Sequence, residues 1–363
     1  MNKAVLIDGS RHSGSGTLLR SALILSSVTK IPFEMINCIS NREKKGLGKS
    51  HIKTIELFQQ STDAEVKGLG LGSQIISFNP KKTFSKKKII IERSSGSVSL
   101  ILQALITASL FSKNKTTIVA RGGTHLDRTP SLSSLRETFL RLIHKYTEEN
   151  KLFIENIAFS FEDEGSSTTV IKPRETDITS IPLIIDAQEL VMIKGEFLAS
   201  KSLAKINLLE SFSRIAELGL KSYEVPVRIT TRYSESNIDC LNMHLFAYYG
   251  DEQGFDNDKA VVISADKRIE KDFMERQVYD LLDSFKNRLL NKALDPFIVD
   301  ALIPIVALLG GTLESEEINE RILGSIYVAE KILDVKFEID SNVISCKGYF
   351  NNNDDSAIDI DDI

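Results

Sequence analysis

"IDGSRHSGSGTLLRSALILS", residues 7–26, decides how this chain is read. Gly9, Gly14 and Gly16 lie in a loop that runs straight into a helix patterned by Leu18, Leu19, Ala22 and Leu23. Arg20 falls near the start of that helix. Helix N-termini expose unpaired N–H groups and a partial positive charge, and glycines let a ligand approach the backbone. With a guanidinium beside them, phosphate is the first physical answer. The spacing matches neither a Walker loop nor a dinucleotide fingerprint, since no Gly-Lys-Ser/Thr follows. An ordinary tight strand-to-helix turn would use the same glycines, so the stretch alone leaves both readings open.

The rest of the chain sets the bounds. Its 363 residues suffice for two or three domains with proper cores. With 42% hydrophobic and 26% charged residues it falls among globular chains rather than disordered or fibrous ones. Cys38, Cys240 and Cys346 form neither a disulfide framework nor a zinc pattern, which suits a reducing compartment. No apolar run reaches membrane-span length and no signal-peptide layout precedes the first strand, so an intracellular chain without a membrane is expected. The net charge of −5 hides an asymmetry. Residues 1–150 carry 23 Lys and Arg against 11 Asp and Glu, whereas residues 151–350 carry 22 against 34. The basic half suits an anionic partner such as nucleic acid. Two halves whose fields cancel on packing is the plainer reading. The tail "NNNDDSAIDIDDI", with five aspartates and no base, reads as solvated and disordered.

Periodicity gives alternating strands and helices: strands at 3–8, 33–40, 86–92 and 116–122, and helices at 17–29, 47–62, 97–111 and 131–146. Residues 64–80, "AEVKGLGLGSQIISFNP", read as a hairpin with a glycine-rich turn. The order restarts after the first strand pair, which suggests a repeated α+β unit. A further unit opens near "NIAFSFE" (156–162) and is interrupted. Residues 177–266 have another texture, a strand-helix-strand-strand module that looks inserted. Residues 265–290 then read as one long helix, followed by apolar helices at 296–311 and 319–333 and closing strands at 335–340 and 343–350.

These stretches resemble the RNA 3′-terminal phosphate cyclase family. Residues 7–35 are similar to its DG-x-x-GEGGGQ-x-LR-x-x-L-x-LS opening, and "NREKKGLGKSHIKTIE" (41–56) to its R-x-KPGL-x-x-QH segment. "GLGSQIISFNP" (70–80), "SSGSVSLILQALI" (94–106), "RGGTHLDRTPS" (121–131), "ALDPFIVDALIPIVALLGGT" (293–312) and "SIYVAEKIL" (325–333) follow in the family's order. The resemblance covers nearly the whole chain. It implies an α+β fold of repeated βαβαββ units with one small inserted α/β domain. The expected division is cyclase-fold repeats over 1–176, the insert over 177–266, the end of the cyclase fold over 267–350 and an acidic tail over 351–363.

The resemblance also implies a chemistry. A histidine attacks the α-phosphate of ATP, AMP passes to an RNA 3′-phosphate, and the neighbouring 2′-OH displaces AMP to give a 2′,3′-cyclic phosphate. Such a site needs a nucleophilic imidazole, cations around several phosphates and a divalent metal, so ATP and Mg are the implied cofactors. Arg20 and Arg42 match the family's arginines, and His51 matches the histidine of its QH pair, with Ser50 replacing the glutamine. Arg11, Lys44, Lys45 and Lys49 are further phosphate-contact candidates, with a solvated face as their plain reading. Gln103, Pro130, Phe297 and Asp300 fall on nucleotide-pocket positions, Phe297 at an adenine-stacking one.

Two positions depart from the pattern. His12 and Ser13 replace the family's Gly-Glu, removing a carboxylate suited to a metal, so no metal ligand is assigned. Arg321 stands where the nucleophilic histidine belongs, and the last histidine in the chain is His244. An arginine stays protonated and cannot attack phosphorus. Two classes of function follow. One is an RNA-binding cyclase-like protein of RNA processing or ribosome biogenesis, cytoplasmic or nucleolar, whose acidic half and tail recruit assembly or processing proteins. The other is an enzyme, either an active cyclase with another nucleophile or an RNA-end nuclease, with His12 and His125 as acid and base.

Overall fold

A computed structural model describes residues 3–92, 96–112, 114–126, 129–146, 159–162, 169–171, 181–182, 189–250 and 261–351. The first unit is β1 (Val5–Asp8), α1 (Gly16–Thr29), β2 (Phe33–Ile36), α2 (Lys49–Thr62), β3 (Glu65–Lys67) and β4 (Ile76–Asn79). Its sheet has the order β1-β2-β4-β3. β1 and β2 are parallel, so a crossover must join them, and α1 is that crossover. Ser15 caps α1 by accepting from the Thr17 N–H. Residues on every side of α1 are buried, against α2 and against three helices that come later in the chain. A helix apolar all round belongs in a core.

The glycine-rich hairpin between β3 and β4 braces the loop that leads into α2. The Leu47 and Cys38 N–H groups donate to Ser73 O and Gln74 O, and the Gly72 N–H donates to Leu47 O. Gly46 has φ +91°, and a Cβ there would lie 2.2 Å from Gly72 O. Only glycine fits. Local turn chemistry thereby fixes the loop that carries Arg42.

The next elements are β5 (Lys88–Ile91), α3 (Val98–Ser109), β6 (Thr117–Ala120), α4 (Leu132–Ser134), a π turn (Leu135–Phe139), α5 (Leu140–Tyr146) and β7 (Thr169–Ile171), with the sheet order β5-β6-β7. The helix expected over 131–146 is therefore wound differently in its middle. The Leu140 N–H reaches back to Leu135 O, and the widened turn carries Arg136 and Glu137. Of the stretch 156–162, where a further unit was expected to open, residues 159–162 are described and are irregular, with Phe159 and Phe161 buried. Its start, most of 163–180 and the tail from 352 lie outside the described residues.

β8 (Ile181–Pro182) precedes a four-stranded sheet of order β10-β9-β11-β12, built from β9 (Glu189–Ser200), α6 (Leu208–Leu220), β10 (Val227–Ser234), β11 (Leu241–Gly250) and β12 (Val261–Ile269). The chain closes with α7 (Arg276–Asn291), α8 (Pro296–Leu309), β13 (Gly311–Glu314), α9 (Glu320–Leu333), β14 (Phe337–Asp340) and β15 (Val343–Cys346), in a sheet of order β14-β15-β13-β8. The long helix expected over 265–290 is corrected here. Ala265 to Ile269 continue β12, paired with Leu245 to Leu241, and the helix begins at Arg276. Ladder hydrogen bonds to β11 override the helical preference of "ADKR". The strand also runs past residue 266, where the inserted segment was expected to end.

The β9–β12 sheet has two unlike faces. Ile193, Phe197, Met243, Leu245, Ile263 and Ala265 belong to the apolar core, and α6 and α7 pack on this sheet. Lys194, Glu196, Asn242, His244, Asp266 and Arg268 alternate with them and point to the opposite side. That polar side meets the helical segment after β6. Arg136 pairs with Glu196 at 3.5 Å, and the Tyr248 hydroxyl donates to Glu137 at 2.6 Å. The result is a mixed α+β fold of several small mixed sheets.

Candidate phosphate-binding site

The site forms where α1, α2, α8 and α9 meet. Arg20 donates from Nη2 to Thr17 Oγ1 at 3.0 Å, and Thr17 Oγ1 donates to Asp300 Oδ2 at 3.2 Å. Ser325 of α9 donates to the other oxygen of Asp300. Burial pushes the Asp300 carboxyl up, against the pull of these hydroxyls and of Arg20 and Arg321. Burial pushes Arg20 down to about 10, with Asp300 opposing and Arg321 and Arg42 adding to the fall. Arg20 still carries its charge at neutral pH. Gln103 lines a small cavity behind Arg20 together with Thr17, Asp300 and Pro304.

His51 lies buried in the first turn of α2. Its Nδ1 accepts from the Gly48 N–H at 3.0 Å, so the proton of the neutral ring sits on Nε2. A Cβ on Gly16 would lie 2.8 Å from that Nε2 and 3.2 Å from Arg20 Nη1. Gly16 is therefore the close-approach glycine, and its missing side chain is where two donors converge. Burial, Arg42 and Arg20 push His51 down to about 4, so it is a neutral donor at physiological pH. Arg42 is exposed on the loop before α2, near Gly48. Arg321, in the first turn of α9, holds its guanidinium 4.3 Å above the Phe297 ring. The Arg20 and Arg321 guanidiniums thus act on one buried carboxylate, and Arg42 adds its charge beside Arg20 and His51. Such a field attracts an anion, and arginine suits bidentate phosphate contact.

Phe297 also lines a neighbouring cleft of about 160 Å³. Pro130 lies in the same cleft, so the two residues expected near a base are brought together. The strands β11 and β12 supply its polar side through Asn242, Ser264, Asp266 and Arg268. Residues for a nucleotide are therefore present: a ring and a proline for a base, and Arg20, Arg42, Arg321 and His51 for phosphates. For a metal, Asp300 is already engaged by two hydroxyls and Glu320 by His12. A magnesium ion in this site would be held chiefly by phosphate oxygens.

His12 and His125 do not meet. His12 Nδ1 lies 3.3 Å from Glu320 Oε2, and its ring tilts against Tyr327. His125 is fully buried among Phe159, Phe161 and His244, with Nδ1 on Thr124 and Nε2 on Ser133. Burial and the neighbouring His244, Arg268 and Arg136 hold it well below the usual imidazole range. An acid–base pair of His12 and His125 is corrected: His125 packs a core. Ser13 exchanges a hydrogen bond with Ser15. Lys44, Lys45 and Lys49 are exposed on the approach to α2. Thr17 and Glu320 escaped sequence reading because their partners, Asp300 and His12, lie at the other end of the chain, and Ser325 because its partner Asp300 lies on another helix.

The profile of the RNA 3′-terminal phosphate cyclase family matches residues 11–339. The chain belongs to that family. Among similar proteins, the RNA 3′-terminal phosphate cyclase of Pyrococcus abyssi is 28% identical over 354 residues, 93% of this chain and 96% of the relative. That of Saccharolobus solfataricus is 27% identical over 92% of this chain and 95% of its own length. The Sulfurisphaera tokodaii cyclase is 35% identical over 190 residues, about half of each chain. No helix among the described residues is long and apolar enough to cross a membrane.

Proposed function

We propose that this chain is an RNA-binding cyclase-like protein that recognises RNA 3′-phosphate ends or pre-rRNA in RNA processing or ribosome biogenesis, without adenylylation at the family's nucleophile position. One observation carries this reading: Arg20 Nη1 and the Nε2–H of His51 converge on the gap left by Gly16, Arg42 and Arg321 add their charges to Arg20, and Arg321 stands where the family's histidine is expected. Arg321 adds positive charge and cannot act as nucleophile. A terminal phosphate carries more charge than a bridging one, so an excess of guanidiniums favours an end. The terminal base would lie in the cleft beside Phe297. In this reading the segments 1–176, 177–266, 267–350 and 351–363 keep their division, and the acidic second half offers a surface to assembly or processing proteins. Cys38, Cys240 and Cys346, all buried thiols, suit a reducing, intracellular setting.

A second reading, a cyclase or RNA-end enzyme with relocated chemistry, is favoured by the pairing of His12 with Glu320. A carboxylate on Nδ1 orients an imidazole and leaves Nε2 free for chemistry. One pair of measurements separates the readings. RNA oligomers with a 3′-phosphate should bind tighter than 3′-hydroxyl oligomers, with affinity falling steeply as salt rises. Arg20→Ala and Arg42→Ala should each cost about 1–3 kcal/mol of that binding. Equal binding of both ends, or unchanged affinity in the double variant, overturns the end-recognition reading. Incubation with α-labelled ATP should leave no covalent AMP on the protein. An adduct mapped to His12 establishes the second reading instead.

A further inference from the structure

The cleft beside Phe297 has one apolar end and one polar end. Phe297, Pro130, Leu126 and Ile298 line the apolar part, and Asn242, Asp266 and Arg268 line the polar part. Asn242 stands opposite Arg268 in the ladder, and His244 opposite Asp266, so all four side chains leave the same face of the sheet. Asn242 is 3% exposed, and its Oδ1 has no hydrogen-bond partner among the described residues. Arg268 Nη1 is likewise buried and unpartnered among them, while its Nη2 is held by Glu270 and by Phe161 O. Buried polar atoms are almost always paired, so two orphans lining one cleft point to a ligand that brings its own polar edge. Asp266 is open to the cleft yet crowded by protein, a carboxylate presented rather than neutralised.

We infer that this cleft selects a guanine base over an adenine, with the Asp266 carboxylate accepting from the guanine N1–H and N2–H while Arg268 donates to O6. The inference rests on the reading above, in which the cleft takes the base next to a bound phosphate. The chemistry discriminates in one direction. Guanine offers two adjacent donors on its Watson–Crick edge, which match the two oxygens of a carboxylate. Adenine offers one donor beside the N1 lone pair, which would face an oxygen of like charge. Asn242 Oδ1 is a further acceptor for the second N2 hydrogen. A guanosine at an RNA 3′ end and a free guanosine nucleotide share this chemistry.

The site is also pH-sensitive in a testable sense. Crowding and Asp295 push the Asp266 carboxyl up to about 6, and Arg288 draws it back. On the same face of its sheet stand Lys194, Glu196, Arg268 and His244, and burial holds His244 at about 3. Between pH 7.5 and 5 Asp266 therefore changes charge while His244 stays neutral. A protonated carboxyl can donate to adenine N1, which removes the penalty against adenine.

The experiment compares the full chain binding 3′-phosphorylated RNA oligomers that differ only in a terminal guanosine or adenosine, with GTP and ATP as free-nucleotide arms. At pH 7.5 the guanosine oligomer should bind about tenfold tighter, within the range of a bidentate base contact. The preference should shrink at pH 5. Asp266→Asn, whose amide can donate to adenine N1 as a protonated carboxyl does, should abolish the preference by weakening guanosine binding and strengthening adenosine binding, and a thermal melt confirms that the variant is folded. Asn242→Ala should weaken guanosine binding without touching the ladder. Equal binding, an adenine preference, or a guanine preference that survives Asp266→Asn overturns the inference. If GTP competes as well as the oligomer, the source is the free nucleotide; if it does not, the source is the RNA end. Failure of the end-recognition reading shows separately, as equal binding of 3′-phosphate and 3′-hydroxyl oligomers, and GTP against ATP then still tests the base preference.

Discussion

Two clusters of arginines lie in this molecule and are built on opposite rules. At α1, Arg20 and Arg321 act on a single carboxylate, Asp300, which two hydroxyls already occupy, and Arg42 adds a third positive charge beside Arg20. Between the π turn and the β9–β12 sheet, Arg136 and Arg141 meet Glu137 and Glu196, and Tyr248 closes the network. Glu137 is held at about 2 by these two arginines and by the tyrosine, against the upward push of burial. The second cluster is balanced and serves as a joint. The first is left unbalanced, and the fold tolerates that repulsion where an anion can relieve it.

The comparison breaks most sharply at Glu137. Glu137→Ala leaves Arg136 and Arg141 half-buried without their shared partner, and should cost about 3–5 kcal/mol of stability in urea unfolding. Arg20→Ala, which relieves repulsion, should cost far less stability and show its effect in RNA binding. Equal destabilisation by the two would erase the distinction.

A smaller effect should appear with acid. His51 and His244 are pushed down to about 4 and about 3, so the unfolded chain binds their protons first. Stability is therefore intact above about pH 6.5 and falls as pH drops toward 4, by up to about 1.4 kcal/mol per pH unit for each histidine. His244→Gln should flatten that slope without altering RNA affinity, whereas His51→Ala should flatten it and weaken binding. Melting curves between pH 7 and 4.5 read both.

The smallest effect concerns the exposed lysines. Replacing Lys44, Lys45 and Lys49 with alanine should leave the 3′-phosphate preference intact and make RNA binding less sensitive to salt. On single-stranded RNA the log–log slope should shrink by roughly 0.7 for each phosphate that a lysine no longer neutralises. An unchanged slope would make the lysines a solvated face.

The elements that carry the candidate site were legible in part. The helix expected at 17–29 is α1 at Gly16–Thr29, and Arg20, Arg42 and His51 do converge. Glycine spacing and helix caps are local, so sequence carries them. The cleft's polar wall was hidden because "ADKRIEKDF" reads as helix. Only pairing with Leu241 to Leu245 turns Asp266 and Arg268 to one face. The pairing of His12 with Glu320 was equally out of reach, since it joins residues from opposite ends of the chain.

By itself, the sequence determined the mixed α+β order, the glycine-rich entry into α1 and the identity of residue 321, because propensity, periodicity and residue identity act locally. Tertiary structure decided which charges stay unpaired, which histidines are buried and which strand faces the cleft. Those outcomes depend on distance through space and on exclusion of water, and contacts between remote segments set both.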